Sequence, residues 1–394
     1  MCHNAGKVTQ LFKKMKKKPL GLYIHIPYCI HKCGYCDFNS HPIKRDEMDH
    51  YIDALVLEMK HYAKIYTNTN IIKTIFLGGG TPTTLNAFQL ERILKECVNE
   101  FTVASDAEVT IEANPATVDV KLMKSIRRTG YNRISIGVQS FDKEELKLLD
   151  RAHGPNEIHS TVDCARKAGF DNLSLDLMFA VPNQSIASWE SNLNKAMEKT
   201  PEHLSTYNLT IEQGTAFSKL QSNGKLIMPD DDHQLELYKT TIEYLTKKGF
   251  NQYEISNFSR EGKECKHNIT YWKNSNSLGI GAGASSYMDG TRFKNINLPA
   301  HYIRQVKEKK AAVEHSETLQ PRQAMGETIM LGLRLLQGIS INEFEKRFQV
   351  SFINLFKNTL QSLKEKELIL IEDNFLRLSK KGLFLTDSVI LEFI

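Results

Sequence analysis

The chain has 394 residues, with 51 Lys+Arg against 46 Asp+Glu, 41% hydrophobic and 25% charged residues. That length suits a large α/β domain with an appendage, and the composition excludes disordered and fibrous classes. A net charge of +5 is too small at this length to demand a nucleic-acid or membrane partner, and no apolar run of about 18 residues marks a transmembrane helix.

The first segment, residues 1–19, is a basic tail carrying Lys13, Lys14, Lys16, Lys17 and Lys18. Pro19 follows, instead of the apolar run of a secretory signal, so the chain reads as cytoplasmic. A solvated tail is expected; the alternative is contact with anionic lipid or a partner, peripherally at a membrane. Met15 is an alternative start. Over residues 20–210, short apolar runs at 22–26, 74–77, 108–112, 133–138, 173–178 and 204–209 read as strands. Segments 48–62, 88–101, 120–129, 158–168 and 186–198 carry helical periodicity. Asn86 and Ser185 are placed to cap helix starts, and Gly130 and Gly169 sit just past helix ends. Six β-then-α repeats predict a parallel sheet closed or curled as part of a barrel. The unusual residues fall at the carboxyl ends of those strands, where such folds build their sites.

Residues 211–319 read as an extension of the barrel. A helix is expected over 230–248, stopped by Gly249, then a polar, aromatic-rich stretch over 253–287 and a charged, linker-like one over 308–319. Residues 320–394 read as an α+β, winged-helix-like domain. Three helices are predicted over 322–335, 341–348 and 352–366, then a hairpin of 368–371 and 375–378 turning through Asp373-Asn374. From residue 321 onward 10 Lys+Arg face 9 Asp+Glu, too balanced for a nucleic-acid reader, so a packing or partner module is expected.

An odd count of seven cysteines in a chain that reads as cytosolic argues against a disulfide framework. Cys97 and Cys164 lie in helical patterns and read as small core residues, while Cys2 and Cys265 stand apart. Cys29, Cys33 and Cys36 form a C-x3-C-x2-C loop after the first strand. Three thiolates on one loop suit three corners of an iron–sulfur cube and leave the fourth iron for a small molecule. A zinc site is the alternative, with His25, His31 or His41 as the further ligand. Gly78-Gly79-Gly80-Thr81 ends the second strand without the Gly-Lys-Ser/Thr of a phosphate loop, which suits close backbone approach to another ligand.

The cysteine spacing with Tyr35 before the last Cys, and the glycine run one β/α unit later, resemble the radical S-adenosylmethionine (SAM) superfamily. The resemblance implies a partial (β/α)6 barrel, a [4Fe–4S] cluster on Cys29, Cys33 and Cys36, and SAM on the unique iron. Tyr23-Ile-His-Ile-Pro-Tyr-Cys29, Glu112-Ala-Asn-Pro115, Gly137-Val-Gln-Ser-Phe141, Arg151-Ala-His-Gly154 and Asp176-Leu-Met are similar to the coproporphyrinogen dehydrogenase (HemN) group, over roughly residues 20 to 390. This implies SAM contacts from Tyr23, Tyr35, Gly79, Gly80, Thr81, Glu112, Gln139, Arg151 and Asp176. Their chemistry suits it: carboxylates for ribose hydroxyls and the sulfonium end, Gln139 for a hydroxyl, Arg151 as a fork for a carboxylate, and Tyr35 near the adenine.

Two departures weigh against coproporphyrinogen oxidation. The dehydrogenase pattern continues to a fourth Cys where this chain has Phe38, and the lysine-rich segment before the first strand is short. His267-Asn-Ile-Thr-Tyr-Trp272 is similar to the H-N-x-x-Y-W signature of the HemW haem-chaperone group. That resemblance implies haem contact at His267, with Cys265 as a second axial candidate; the alternative is a packed His and a core Trp. It further implies haem transfer to haem-requiring membrane or respiratory proteins, and a homodimer linked to the cluster. Whether the chain is an enzyme stays open. The rival activity is oxygen-independent coproporphyrinogen III dehydrogenation through a 5′-deoxyadenosyl radical, and a weaker third reading is a zinc-binding interaction protein.

Overall fold

The computed structural model describes residues 17–115 and 117–394. Cys2, Lys13, Lys14, Met15 and Lys16 lie outside the described residues. Lys17 and Lys18 make defined contacts. The Lys17 ammonium donates to the Thr67 carbonyl at 2.6 Å and to Thr102 Oγ1 at 2.8 Å, and Lys18 pairs with Asp289 at 2.8 Å.

All six expected strands form: β1 (Lys18–Ile26), β2 (Asn70–Gly79), β3 (Val103–Ala113), β4 (Arg133–Gln139), β5 (Leu173–Phe179) and β6 (His203–Asn208). They pair in that order, all parallel. Between them run α1 (Arg45–Tyr66), α2 (Ala87–Glu100), α3 (Val120–Thr129), α4 (Pro155–Lys167) and α5 (Ile186–Glu198). Strand alternation sorts the residues. Leu22, Ile24 and Ile26 join Tyr51, Leu55 and Met59 of α1 in the main core. The intervening Tyr23 and His25 turn inward, where Tyr23 meets Phe76 and His267. Asn86 caps α2 by accepting Gln89 N–H at 3.0 Å while Gln89 returns the bond, and Ser185 caps α5. Gly130 and Gly169 both take positive φ. Cys97 and Cys164 are buried, as expected.

Among the described residues the sheet extends well beyond the barrel strands, to twelve. β7 (Ser277–Ile280) lies parallel to β1, and β8 (Ser285–Met288), β9 (Thr291–Asn295) and β10 (Val313–Thr318) continue antiparallel. The linker expected over 308–319 is therefore corrected: its second half is the sheet's edge strand. An edge strand with most side chains in solvent shows no apolar alternation, and its backbone ladder leaves no mark in sequence. At the other edge, Asn257–Ser259 pairs antiparallel with β6. The helix expected over 230–248 forms as α6 (Asp231–Lys247), and a short α7 (Lys266–Trp272) carries the H-N-x-x-Y-W residues.

The C-terminal part has its own core around Phe344, Phe352, Leu363, Leu376 and Val389. Its first two helices are Pro321–Gly332 and Ile341–Phe348. The hairpin turns through Asp373 and Asn374, at φ 49° and 66°, as a tight two-residue turn requires. The single helix expected over 352–366 is corrected to two, Phe352–Leu355 and Lys357–Glu365. The break lets the Phe356 ring pack on Phe352 and Phe393. The helices Lys380–Leu383 and Thr386–Leu391 are too short to show a period. Arg334 stacks over the Trp272 ring at 4.6 Å, and Arg347 donates to the Asn274 carbonyl at 2.9 Å, tying this part to the barrel extension. Among the described residues no helix is long and apolar enough to cross a membrane.

Candidate cofactor site

A cavity of about 460 Å3 opens at the carboxyl ends of the barrel strands. Cys29, Cys33, Tyr35, Cys36, Gly79, Gly80, Thr81, Glu112, Gln139, Arg151 and Asp176 all line it. Tyr23, His25, His41, Gly78, Cys265 and His267, also singled out in sequence, are absent from its wall. A larger cleft of about 670 Å3 lies between β6 and the C-terminal helices, but none of the thiols or glycines reaches it. Volume alone does not mark the site.

The cysteine loop is held at both ends and in the middle. Tyr28 and Cys29 pair with His41 and Pro42, so the loop leaves and returns side by side. Midway, the Gly34 carbonyl accepts Phe217 N–H at 3.0 Å, and the Phe217 ring meets Tyr35 edge-on. A Cβ on Gly34 would lie 2.8 Å from that ring. All three thiols are free, and Cys29 Sγ lies 3.4 Å from Thr81 Oγ1. Burial pushes the Cys29 and Cys36 thiols above the ordinary thiol value, with hydrogen bonding to Thr81 opposing it at Cys29. Loading a metal here therefore releases protons.

The candidate histidines for zinc are engaged elsewhere. His25 lies between Tyr23 Oη at 2.9 Å and the Asn39 carbonyl at 2.8 Å, His31 pairs with Asp150 at 2.9 Å, and His41 bonds Asn39 at 3.1 Å. Among the described residues no three His, Cys, Asp or Glu side chains are grouped to hold a single metal ion. Three thiols spaced around one cavity fit a larger inorganic group, with three protein corners and an open fourth.

The glycine run is required first by the protein itself. Gly79 has φ 111°, and a Cβ there would lie 2.4 Å from the His25 ring. A Cβ on Gly80 would lie 2.8 Å from the Tyr28 carbonyl. This packing turns the Gly79 N–H onto Glu112 Oε2 at 3.1 Å.

Glu112 and Asp176 are two half-buried carboxylates on one cavity. Burial, then the Asp176 charge, pushes Glu112 up to about 8, with the Gly79 N–H and Arg133 opposing. Burial likewise raises Asp176, against hydrogen bonds from Ser205 and Ser135. Such a pair favours a cationic ligand between its members. Arg151 donates to Asn114 Oδ1 and the Gly137 carbonyl, each at 2.8 Å, and points its other nitrogen at Cys33 Sγ and Tyr35 Oη, both at 3.4 Å. Its fork is thus turned to the loop, while its buried Nε has no partner among the described residues. Gln139 holds φ 67°, a left-handed strain at the strand end.

Tyr23 and His267 sit deeper in the barrel. His267 is 1% exposed, with Nδ1 2.7 Å from Thr74 Oγ1 and Nε2 2.9 Å from Tyr271 Oη. It stacks on Phe76, so the ring is packed, while Trp272 of the same motif is half-buried. Cys265 is equally sealed, with its thiol against Glu108. Burial lowers His267 to about 3 and His25 to about 4. Both folded values lie below the unfolded one, so their contribution is present above about pH 6.5 and is lost as pH falls toward the folded values. Each is expected to remove on the order of 2 kcal/mol of stability between pH 6.5 and 5. Thermal unfolding at those two pH values should show a smaller acid loss in His267→Gln than in wild type.

Sequence reading passed over several lining residues. Asn114 bridges Thr81 and Arg151, at 2.7 and 2.8 Å, and Ser135 donates to Asp176 at 3.0 Å. Asn114 lay within a quoted motif; Ser135 had only its inward position on a strand to mark it.

Comparison with known proteins agrees with this geometry. Residues 23–196 match the radical SAM superfamily, and residues 319–385 match the HemN C-terminal domain. The "Heme chaperone HemW" of Bacillus subtilis (strain 168) is 37% identical over 369 residues, covering 93% of this chain and 97% of the relative. That of Lactococcus lactis subsp. lactis (strain IL1403) is 35% identical over 96% of this chain and 98% of the relative. The solved structure of coproporphyrinogen III oxidase (HemN) from Escherichia coli superposes with a TM-score of 0.83 at 25% identity, covering 96% of this chain and 90% of that one. By its cysteine loop, its barrel and this full-length similarity, the chain belongs to the HemW family of the radical SAM superfamily.

Proposed function

We propose that this chain is a haem chaperone. It binds haem, carries a [4Fe–4S] cluster on Cys29, Cys33 and Cys36 with SAM in the adjoining cavity, and passes haem to haem-requiring proteins such as respiratory enzymes at the membrane. The observation that carries the reading is three free thiols and two half-buried carboxylates on one cavity, in a chain so similar to relatives named as haem chaperones. The cluster and SAM, when bound, supply one-electron chemistry. The protein's part is to hold and orient: Glu112 and Asp176 face the cationic end of the ligand, Gln139 takes a hydroxyl, Tyr35 lies against the base, and Arg151 stands beside Cys33. In this reading residues 20–210 hold the cofactors, 211–319 brace the barrel, and 320–394 meet a partner or a second copy.

Haem ligation by His267 requires the ring to give up a bond to Thr74 or Tyr271. Haemin titration followed at the Soret band tests both levels. Saturable binding with a shifted band is expected, and a changed spectrum in His267→Ala. An unchanged spectrum moves the ligand elsewhere, while no saturable binding with the cluster reconstituted overturns the chaperone reading. The second reading, coproporphyrinogen oxidation, draws on the likeness to HemN. Phe38, exposed on the loop where that pattern has a fourth Cys, weighs against it, and no coproporphyrinogen turnover is expected with SAM and a reductant.

A further inference from the structure

Beneath the cavity runs a line of hydrogen bonds that the site as described does not use. Ser174 Oγ lies 3.4 Å from Asp176 Oδ1 and 2.8 Å from His203 Nδ1. The other ring nitrogen of His203 is 2.9 Å from Tyr253 Oη, and that oxygen accepts the Cys265 N–H at 3.3 Å. Ser174 and His203 are both fully buried. Burial, with the Arg133 charge, pushes His203 far below the ordinary histidine value, so its ring is neutral.

One end of this line is a backbone N–H, which only donates. The other is a carboxylate, which when ionised only accepts. Each hydroxyl and the neutral ring carries one proton to give. The protons therefore all point one way: Cys265 N–H to Tyr253, Tyr253 O–H to His203 Nε2, His203 Nδ1–H to Ser174, and Ser174 O–H to Asp176. A one-way chain of this kind polarises along its length and fixes the tautomer of the ring.

We infer that His203 and Tyr253 are positioning residues: they aim the Ser174 hydroxyl at Asp176 and hold that carboxylate for the ligand above it. This rests on the reading that Asp176 contacts bound SAM. The segment carrying Tyr253 is itself held by the C-terminal part. The Tyr253 carbonyl accepts Leu336 N–H at 3.1 Å, and Ile255 N–H donates to the Arg334 carbonyl at 3.2 Å. Docking of that part thus reaches the floor of the cofactor cavity through one tyrosine.

Asp176 also accepts the Ser135 hydroxyl, which lies 3.0 and 3.1 Å from its two oxygens, so the relay is one support among several and its effect is moderate. The experiment measures SAM affinity by equilibrium dialysis on the full chain with reconstituted cluster, for wild type, Tyr253→Phe, Asp176→Asn and the double variant. Tyr253→Phe is expected to weaken binding about three- to tenfold, and to add nothing in the Asp176→Asn background. Additive losses would mean general loosening and overturn the relay, as would an unchanged affinity in Tyr253→Phe beside a loss in Asp176→Asn. Wild-type affinity in Asp176→Asn would overturn the assignment of Asp176, and the inference with it. A second readout needs no SAM: 15N spectra of histidine-labelled protein, with His203 assigned by His203→Gln. The Nδ1–H tautomer is expected in wild type and a mixture in Tyr253→Phe; an Nε2–H tautomer in wild type would overturn the relay outright.

Discussion

A Cys29→Ala chain is expected to fold, yet to retain almost no iron or sulfide after anaerobic reconstitution and to lack the brown colour of the wild-type protein. Cys29 is the most firmly placed of the three thiols. It sits on backbone paired to His41–Pro42, is buried, and lies against Thr81. Cys33 and Cys36 sit on the loop beyond it, so without Cys29 the remaining two ligands share one short arc. The fold has little stake in that sulfur, whose removal should cost about 1 kcal/mol of stability, typical of a small buried truncation. Iron analysis beside thermal unfolding separates the two effects. A full complement of iron in the variant would refute the three-cysteine assignment.

Gly79→Ala is expected to have the larger effect on the fold itself. The added carbon meets the His25 ring at 2.4 Å on a backbone at φ 111°. That ring cannot step aside. Its two nitrogens are held by Tyr23 and Asn39, and the His25 carbonyl accepts the Tyr51 hydroxyl at 2.8 Å. Overpacking and left-handed strain together should cost about 3 kcal/mol. The same shift would turn the Gly79 N–H away from Glu112, so SAM affinity should fall with stability. Placing Gly79→Ala in a His25→Ala background relieves the clash and leaves the backbone term, so the penalty should shrink to about 1–2 kcal/mol. Denaturant midpoints of the four chains measure this; an unchanged midpoint in Gly79→Ala alone would sink the argument.

The order of the barrel was written in the sequence because strands covered on both sides must be apolar along their length. Runs such as Leu173–Phe179 stand out for that reason. Cap residues marked helix starts to within a residue or two, and the spacing of Cys29, Cys33 and Cys36 singled out the loop that lines the cavity. Other features had no local signature. Val313–Thr318 forms an edge strand through backbone bonds that any polar sequence can make. The His267 motif read in sequence as a haem contact or a packed His, and only the packing of α7 under the barrel shows both ring nitrogens taken and the ring sealed. Phe217 meets the cysteine loop from more than 180 residues away in sequence, and Tyr253 reaches His203 across 50 residues. Sequence by itself therefore determined the fold class and the ring of residues at the strand ends, the three thiols among them, because these follow from periodicity and spacing along the chain. Only the tertiary structure decided which polar groups face the cavity and which close its floor, because that depends on contacts between segments distant in sequence.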